Sequence, residues 1–164
     1  MSPLRDDDRR ELLILDTGPI REILLHYAVF DFGFENLRRE LRWLPTQASY
    51  DSCSEFIASF RRKLTSASVV SQLEYWIRKT EEQGQADLWR RAHEEFRNME
   101  MNEEVVPLAT MDVEMVMRFG PVDTSLIELA KRHQGENPVV LTVDQKLCGH
   151  CRKAGFGVRL LEEL

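Results

Sequence analysis

Two aspartates directly follow apolar runs that have the length of buried β-strands. Asp16 ends the run at residues 12–15, and Asp144 ends the run at residues 138–143. A short apolar run closed by a polar turn is typical of a buried parallel strand. Ligands of open parallel sheets bind at the carboxyl ends of the strands, so we expect both carboxylates at one edge of a sheet.

Two further acids lie where they could join that pair. Asp123 stands at the start of a predicted helix, and Glu74 is the lone acid of the largely apolar or neutral run at residues 69–76. Taken alone, each has an ordinary explanation. An aspartate at a helix N-terminus caps the helix, which would also account for Asp144, and a helical glutamate is commonly half exposed.

Taken together, the four carboxylates predict a metal centre. Carboxylates that face one another repel, and each raises the pKa of the others unless a cation neutralises them. Hard oxygen ligands of this kind suit Mg²⁺ or Mn²⁺. Such an ion can activate water, orient a phosphodiester and stabilise the charge that builds on the phosphoryl oxygens.

The elements that must position these acids predict an α/β fold. The strand at residues 12–15 leads into a helix at about 20–29, and the C-terminal third alternates strands with helices. We assign that third as strand 105–109, helix 111–132 interrupted at Gly120-Pro121, strand 139–143, helix 146–154 and strand 157–161. Strands separated by helices predict a three-layer α/β/α sandwich with a central parallel sheet of four to five strands.

The middle of the chain, about residues 31–101, is rich in helical patterns. We predict two helices and a short strand near residues 63–67 within 33–64, followed by helices at 68–80 and 86–101. The sequence contains no repeat, no low-complexity segment and no clear linker, which favours a single domain over residues 1–164.

Composition and charge narrow the function classes. The chain is 43% hydrophobic and 30% charged, which favours a folded core over disorder. No run approaches the roughly 20 apolar residues of a membrane span and no apolar signal core opens the sequence, so we expect a cytoplasmic protein without a membrane partner. The net charge of -6 is unusual for a nucleic-acid enzyme, although basic residues come in short groups that could line a groove. These groups are Arg38, Arg39 and Arg42; Arg61, Arg62 and Lys63; Arg90 and Arg91; Lys131 and Arg132.

The ordered set of acidic segments resembles the PIN-domain family. Its members open with a strand and turn similar to residues 13–20, and carry three further acidic segments similar to residues 68–76, 121–130 and 141–147. The resemblance covers most of the chain in order, while residues 31–63 match only as generic helix.

The resemblance implies a metal-dependent endoribonuclease that hydrolyses single-stranded RNA. Asp16, Glu74, Asp123 and Asp144 would hold Mg²⁺ or Mn²⁺, with Thr142 as the hydroxyl that accompanies the last acid. Small VapC-like members are toxins neutralised by an antitoxin protein, whereas this chain is longer than the compact toxins and has a helix-rich middle. Glu74 is the least secure ligand, and Glu81 and Glu82 on the same predicted helix are the substitutes.

Other patterns compete with this interpretation. Residues 148–151 spell the Cys-Gly-His-Cys redox tetrapeptide, but only 13 residues follow Cys151, too few for a thioredoxin sheet. A zinc site would need a partner pair that the sequence lacks, and we expect both cysteines to lie far from the acids. A haloacid-dehalogenase phosphatase would need an aspartate in place of Gly18.

A PIN-like binding or scaffolding module without catalysis is the alternative from a different class. We also expect a homodimer, because the helical middle offers more apolar surface than one small core needs.

Overall fold

The computed structural model describes residues 10–82 and 88–164, which form a five-stranded sheet and six α-helices. The strands are β1 (Arg10–Leu15), β2 (Phe60–Ser66), β3 (Met101–Glu104), β4 (Val139–Thr142) and β5 (Gly157–Leu160). The helices are α1 (Thr17–Phe30), α2 (Gln47–Ala58), α3 (Ala67–Glu82), α4 (Leu88–Asn98), α5 (Val113–Arg132) and α6 (Gln145–Lys153). A 3₁₀ turn (Glu35–Glu40) precedes α2.

The sheet is entirely parallel, with the strand order β3-β2-β1-β4-β5. β1 lies at its centre, where Leu12 to Leu15 are fully buried because helices cover both faces. From β1 the chain adds β2 and then β3 on one side of the sheet. It then crosses back over β1 and forms β4 on the other side. Right-handed crossovers therefore place α1 to α4 on one face and α5 and α6 on the other. The predicted α/β/α sandwich is confirmed, and its topological switch point lies between β1 and β4.

The strand predicted at residues 105–109 is wrong. The sheet instead uses Met101–Glu104, which pairs only with β2 at the sheet edge. Val105 and Leu108 are 66% and 65% exposed, and Leu108–Thr110 form a 3₁₀ turn. An edge strand needs few apolar residues. The exposed Asn102 and Glu103 give β3 a polar sequence, so the hydrophobicity pattern did not predict a strand there.

Smaller differences concern element ends. β2 begins at Phe60 rather than near residue 63, and the first helix expected within 33–64 is the 3₁₀ turn. The expected start of the next helix, at residue 86, lies outside the described residues. Within the described residues, no helix is both long and apolar enough to cross a membrane.

Gly18 controls how closely α1 approaches the end of β4. A Cβ atom on Gly18 would overlap the side chain of Val143, and the β-branched Val143 cannot easily rotate away because its χ1 angle is restricted. The absent side chain therefore lets the first turn of α1 pack against the residue between Thr142 and Asp144.

Gly18→Ala should lower the free energy of unfolding by about 1–3 kcal/mol, the usual cost of overpacking. In a Val143→Ala background the same substitution should become neutral or stabilising, because alanine is the better helix former. Urea denaturation of the four proteins in this double-mutant cycle measures the change of sign. Gly149→Ala on α6, where a Cβ meets open space, is the matched control and should be stabilising. Equal effects of Gly18→Ala in both backgrounds would contradict the close approach.

Candidate active site

Asp16 and Asp144 lie side by side at the carboxyl ends of neighbouring strands. The backbone N–H of Asp16 donates to the carbonyl of Leu141 at 3.0 Å, which extends the β1–β4 pairing to this point. The Thr142 hydroxyl donates to Asp16 Oδ2 at 2.6 Å and accepts the Asp144 backbone N–H at 2.9 Å. One buried hydroxyl thus connects the two acidic residues.

Both aspartates also begin helices. Asp16 Oδ1 accepts the Thr17 N–H at 2.6 Å at the start of α1, and Asp144 Oδ1 accepts the Leu147 N–H at 2.8 Å at the start of α6. Each carboxylate therefore satisfies a backbone donor that the first helical turn leaves without a partner. Asp16 is 6% exposed, whereas Asp144 is exposed to solvent.

Asp123 reaches the same edge through a kink in α5. Gly120 has φ 83°, a left-handed conformation that breaks the helix, and Pro121 begins the second half. Asp123 therefore stands in the first turn of residues 121–132. Ser125 fixes this turn to the sheet, since its Oγ lies 2.7 Å from Ser66 Oγ at the end of β2.

The charges of the three aspartates act on one another. Burial and the charges of Asp16 and Asp144 raise the pKa of Asp123 from 3.8 to about 7, opposed by Lys146. Burial raises the pKa of Asp16 as well, and the charge of Asp144 adds to the rise, while hydrogen bonds from Thr142 and Thr17 oppose it. We call Asp16, Asp123 and Asp144 the three-aspartate cluster.

Hydroxyl groups surround this cluster. The Thr65 hydroxyl donates to the Leu15 carbonyl at 2.7 Å, and the Thr124 hydroxyl donates to the Gly120 carbonyl at 2.7 Å. Among the side chains that the structure describes, six of the eight buried polar or charged ones belong to this edge, namely Asp16, Thr65, Ser66, Thr124, Ser125 and Thr142. Burying a polar group costs free energy unless the group is hydrogen-bonded. The concentration of buried polar residues at this edge therefore distinguishes it from the rest of the core.

The structure connects α3 to this edge through Gln72 rather than Glu74. The Thr17 hydroxyl, next to Asp16, donates to Gln72 Oε1 at 2.5 Å. Positions two apart on an α-helix differ by about 200° in direction, so Glu74 faces away from this contact. In the described part of the chain, no hydrogen bond or ion pair joins Glu74 to the three-aspartate cluster, and its role as a ligand stays a prediction. The side chains of Glu81 and Glu82 lie outside the described ones.

Another buried acid, Glu22 on α1, has a structural role. Its carboxylate accepts the backbone N–H groups of Arg42, Trp43 and Leu44 at 3.0 to 3.4 Å. These bonds hold the segment before α2 against α1. The clustered acids differ, because each has a neighbouring carboxylate of the same charge.

The two C-terminal cysteines are buried and unpaired. Burial raises the pKa of the Cys151 thiol to about 12, and the charges of Asp123 and Asp16 contribute to the rise. Burial also raises the pKa of the Cys148 thiol. The reactive thiolate is thus disfavoured at both positions, but the expectation that both lie far from the acids is wrong, since Cys151 is within electrostatic reach of two of them.

The donor chemistry of the cluster fits a hard divalent cation. Three carboxylates offer oxygen ligands, and a cation between them would relieve the repulsion that, after burial, raises the pKa of Asp123. As they are placed, no three acidic, histidine or cysteine side chains among those described enclose a metal position. Binding would therefore require a change in the placement of these side chains.

A separate cavity of about 220 Å³ lies between α1, α2 and α4. Its polar lining comes from Tyr27, Tyr50, Ser54, Lys63, Glu95 and Asn98. Tyr27 is ten residues after Thr17 on α1, which places it about 15 Å along the helix from the acidic edge. None of the sequence-predicted site residues lines this cavity.

Comparison with family models finds no match for the chain, and comparison with curated proteins finds none either. The assignment of function therefore depends on the chemistry of the acidic edge.

The contribution of Asp123 to the stability of the metal-free protein should fall as pH rises from about 4 to about 7. Asp123 binds its proton more tightly in the folded chain than in the unfolded one, so the folded state holds more protons in this window, and deprotonation with rising pH favours unfolding. Asp123→Asn cannot titrate. Its melting temperature should rise relative to the wild type across the window, as measured by thermal unfolding in EDTA. Parallel curves for the two proteins would contradict the raised pKa.

Proposed function

We propose that this chain is a metal-dependent endoribonuclease of the PIN type, which hydrolyses phosphodiester bonds of single-stranded RNA. The observation that carries the proposal is the convergence of Asp16, Asp123 and Asp144 at the switch point between β1 and β4. The shared Thr142 hydroxyl joins two of these residues directly. Helix capping explains the positions of Asp16 and Asp144 separately. It does not explain why three aspartates lie within electrostatic reach of one another.

In this proposal the three aspartates hold Mg²⁺ or Mn²⁺. When bound, the ion supplies a nucleophilic hydroxide from water and neutralises charge on the phosphoryl oxygens. Asp16 is the fixed ligand, because Thr17 and Thr142 each donate to one of its carboxylate oxygens and leave further lone pairs free. Thr142 is a positioning residue, since it acts through Asp16 and Asp144.

The protonation of Asp123 would change when the cation binds. In the metal-free protein, a carboxyl group whose pKa lies near 7 carries its proton in part of the molecules at neutral pH. Before the cation binds, protonation of Asp123 relieves the repulsion within the cluster. A bound cation would favour the charged form of Asp123, which would then serve as a ligand. Proton release on metal binding follows from this exchange.

Asp16→Asn should lower the rate of RNA cleavage by about a hundredfold or more, since even partners of metal ligands contribute 10- to 100-fold. The substitution keeps the size of the side chain and its carbonyl acceptor but removes one negative charge. Cleavage of a labelled single-stranded RNA, abolished by EDTA and restored by Mn²⁺, provides the assay. Asp51→Asn, on the exposed surface of α2, is the matched control and should cleave like the wild type.

Melting temperatures separate this role from a scaffold. Mn²⁺ should raise the melting temperature of the wild type and have less effect on Asp16→Asn, because a ligand stabilises the state that binds it. In EDTA the variant should be no less stable than the wild type, since it loses a like-charge repulsion. The opposite pattern, with a destabilised variant and no effect of Mn²⁺ on the wild type, would assign Asp16 a purely structural role and favour the inactive scaffolding module.

A protein partner completes the proposal. Val105, Leu108, Val113 and Met117 are 65% to 81% exposed, within thirteen consecutive residues. Exposed apolar side chains in such a group are typical of protein interfaces. We propose that a second copy of this chain covers them, with an antitoxin protein as the alternative occupant.

Light scattering should find a dimer at micromolar concentration and a monomer for the double variant Val113→Glu, Met117→Glu, because two buried carboxylates would oppose association. The exposed Lys153→Glu variant on α6 adds charge elsewhere and should remain dimeric. A monomeric wild type would overturn the homodimer.

A further inference from the structure

Two cations stand beside the three-aspartate cluster, one on each of the helices that carry Asp123 and Asp144. Lys146 follows Asp144 by two residues, and Arg118 precedes the kink of α5. The ammonium group of Lys146 donates to the backbone carbonyl of Arg118 at 2.6 Å. This bond crosses from α6 to α5 and fixes the two residues next to each other.

An aromatic ring organises these cations. The Arg118 guanidinium carbon and the Lys146 Nζ atom each lie 5.1 Å from the centre of the Phe119 ring. The imidazole of His150 lies 4.9 Å from the same centre. Cations within about 6 Å of a ring are attracted to its face, so Phe119 holds both side chains at one place on the surface.

Acidic partners neutralise several of the basic residues that the sequence singles out, but not these two cations. Arg38 pairs with Glu35, Arg62 with Glu136, Lys131 with Glu128, and Arg132 with Glu104. In contrast, no described carboxylate lies within 4.0 Å of the side-chain nitrogens of Arg118 or Lys146. In a chain of net charge -6, two neighbouring cations without an ion-pair partner indicate an anionic ligand.

We propose that Arg118 and Lys146 bind phosphate groups of single-stranded RNA and lead the strand to the three-aspartate cluster. The proposal rests on the function proposed above for the identity of the polymer. Phosphate contacts of this kind fix the register of a strand without reading its bases. Phe119 is the positioning residue of the pair, since it orients the two cations.

The charge distribution supports this direction of approach. Lys146 lowers the pKa of Asp123, so its charge reaches the cluster. Besides burial, the charges of Arg118, Lys131 and Lys153 lower the pKa of His150, which shows that positive potential extends along α5 and α6. An RNA strand that binds these cations would therefore lie beside the three-aspartate cluster.

The test measures RNA binding in EDTA, where no metal-dependent cleavage occurs. A fluorescein-labelled single-stranded RNA of mixed sequence is titrated with wild type, Arg118→Gln and Lys146→Gln at several salt concentrations, and anisotropy gives Kd. Each substitution should weaken binding several-fold and reduce the slope of log Kd against log salt by about 0.7, the value for one lost phosphate contact on a single strand. Phe119→Leu keeps both charges and should leave the slope unchanged while weakening binding.

Arg39→Gln is the matched control, because it removes one exposed positive charge from the 3₁₀ turn beside α1 and should leave Kd and slope unchanged. Wild-type binding at Arg118→Gln and Lys146→Gln, or an equal loss at Arg39→Gln, would overturn the proposal. Binding that depends on Arg118 and Lys146 without cleavage in Mn²⁺ would sustain the proposed contacts and reject the nuclease function. RNA cleavage by the wild type, together with wild-type binding by both variants, would support the nuclease function and reject the proposed contacts.

Discussion

The hydroxyl of Thr142 is the contact on which the acidic edge depends. It is fully buried at the end of β4, and it donates to Asp16 while it accepts from the backbone of Asp144. A hydroxyl can do both because it carries one proton and two lone pairs. Valine, which has the same shape, would leave a buried carboxylate oxygen and a backbone N–H without partners. The strand must therefore end in a hydroxyl for α1 and α6 to begin side by side.

Helix geometry explains how the fold tolerates three neighbouring aspartates. Each of them lies in the first turn or at the N-cap of a helix, since α1, α6 and the second half of α5 all begin at this edge. The N-terminus of a helix carries a partial positive charge. Three such ends offset part of the repulsion among the carboxylates, while burial still raises the pKa of Asp123. A capping role and a metal-binding role are therefore compatible at the same residue.

The sequence predicts most reliably what is buried. β1 and β4 are continuous apolar runs because helices cover both of their faces. The dipeptide Gly120-Pro121 predicts the kink in α5 because few other dipeptides break a helix so consistently. β3 was missed because an edge strand obeys no such pattern. The contact between Gln72 and Thr17 was not predicted, because the direction of a side chain depends on the rotation of α3 against α1. Strand order also depends on contacts between distant residues, which local pattern does not contain.

The polar edge strand sets how copies of this chain can associate. β3 presents Asn102 and Glu103 to solvent on the open side of the sheet, and an exposed acid there opposes the addition of a further strand. Joining two sheets edge to edge through β3 would bring Glu103 and Glu104 of the two copies close to each other. The acids thus oppose growth of the sheet at one of its two edges, the other being β5.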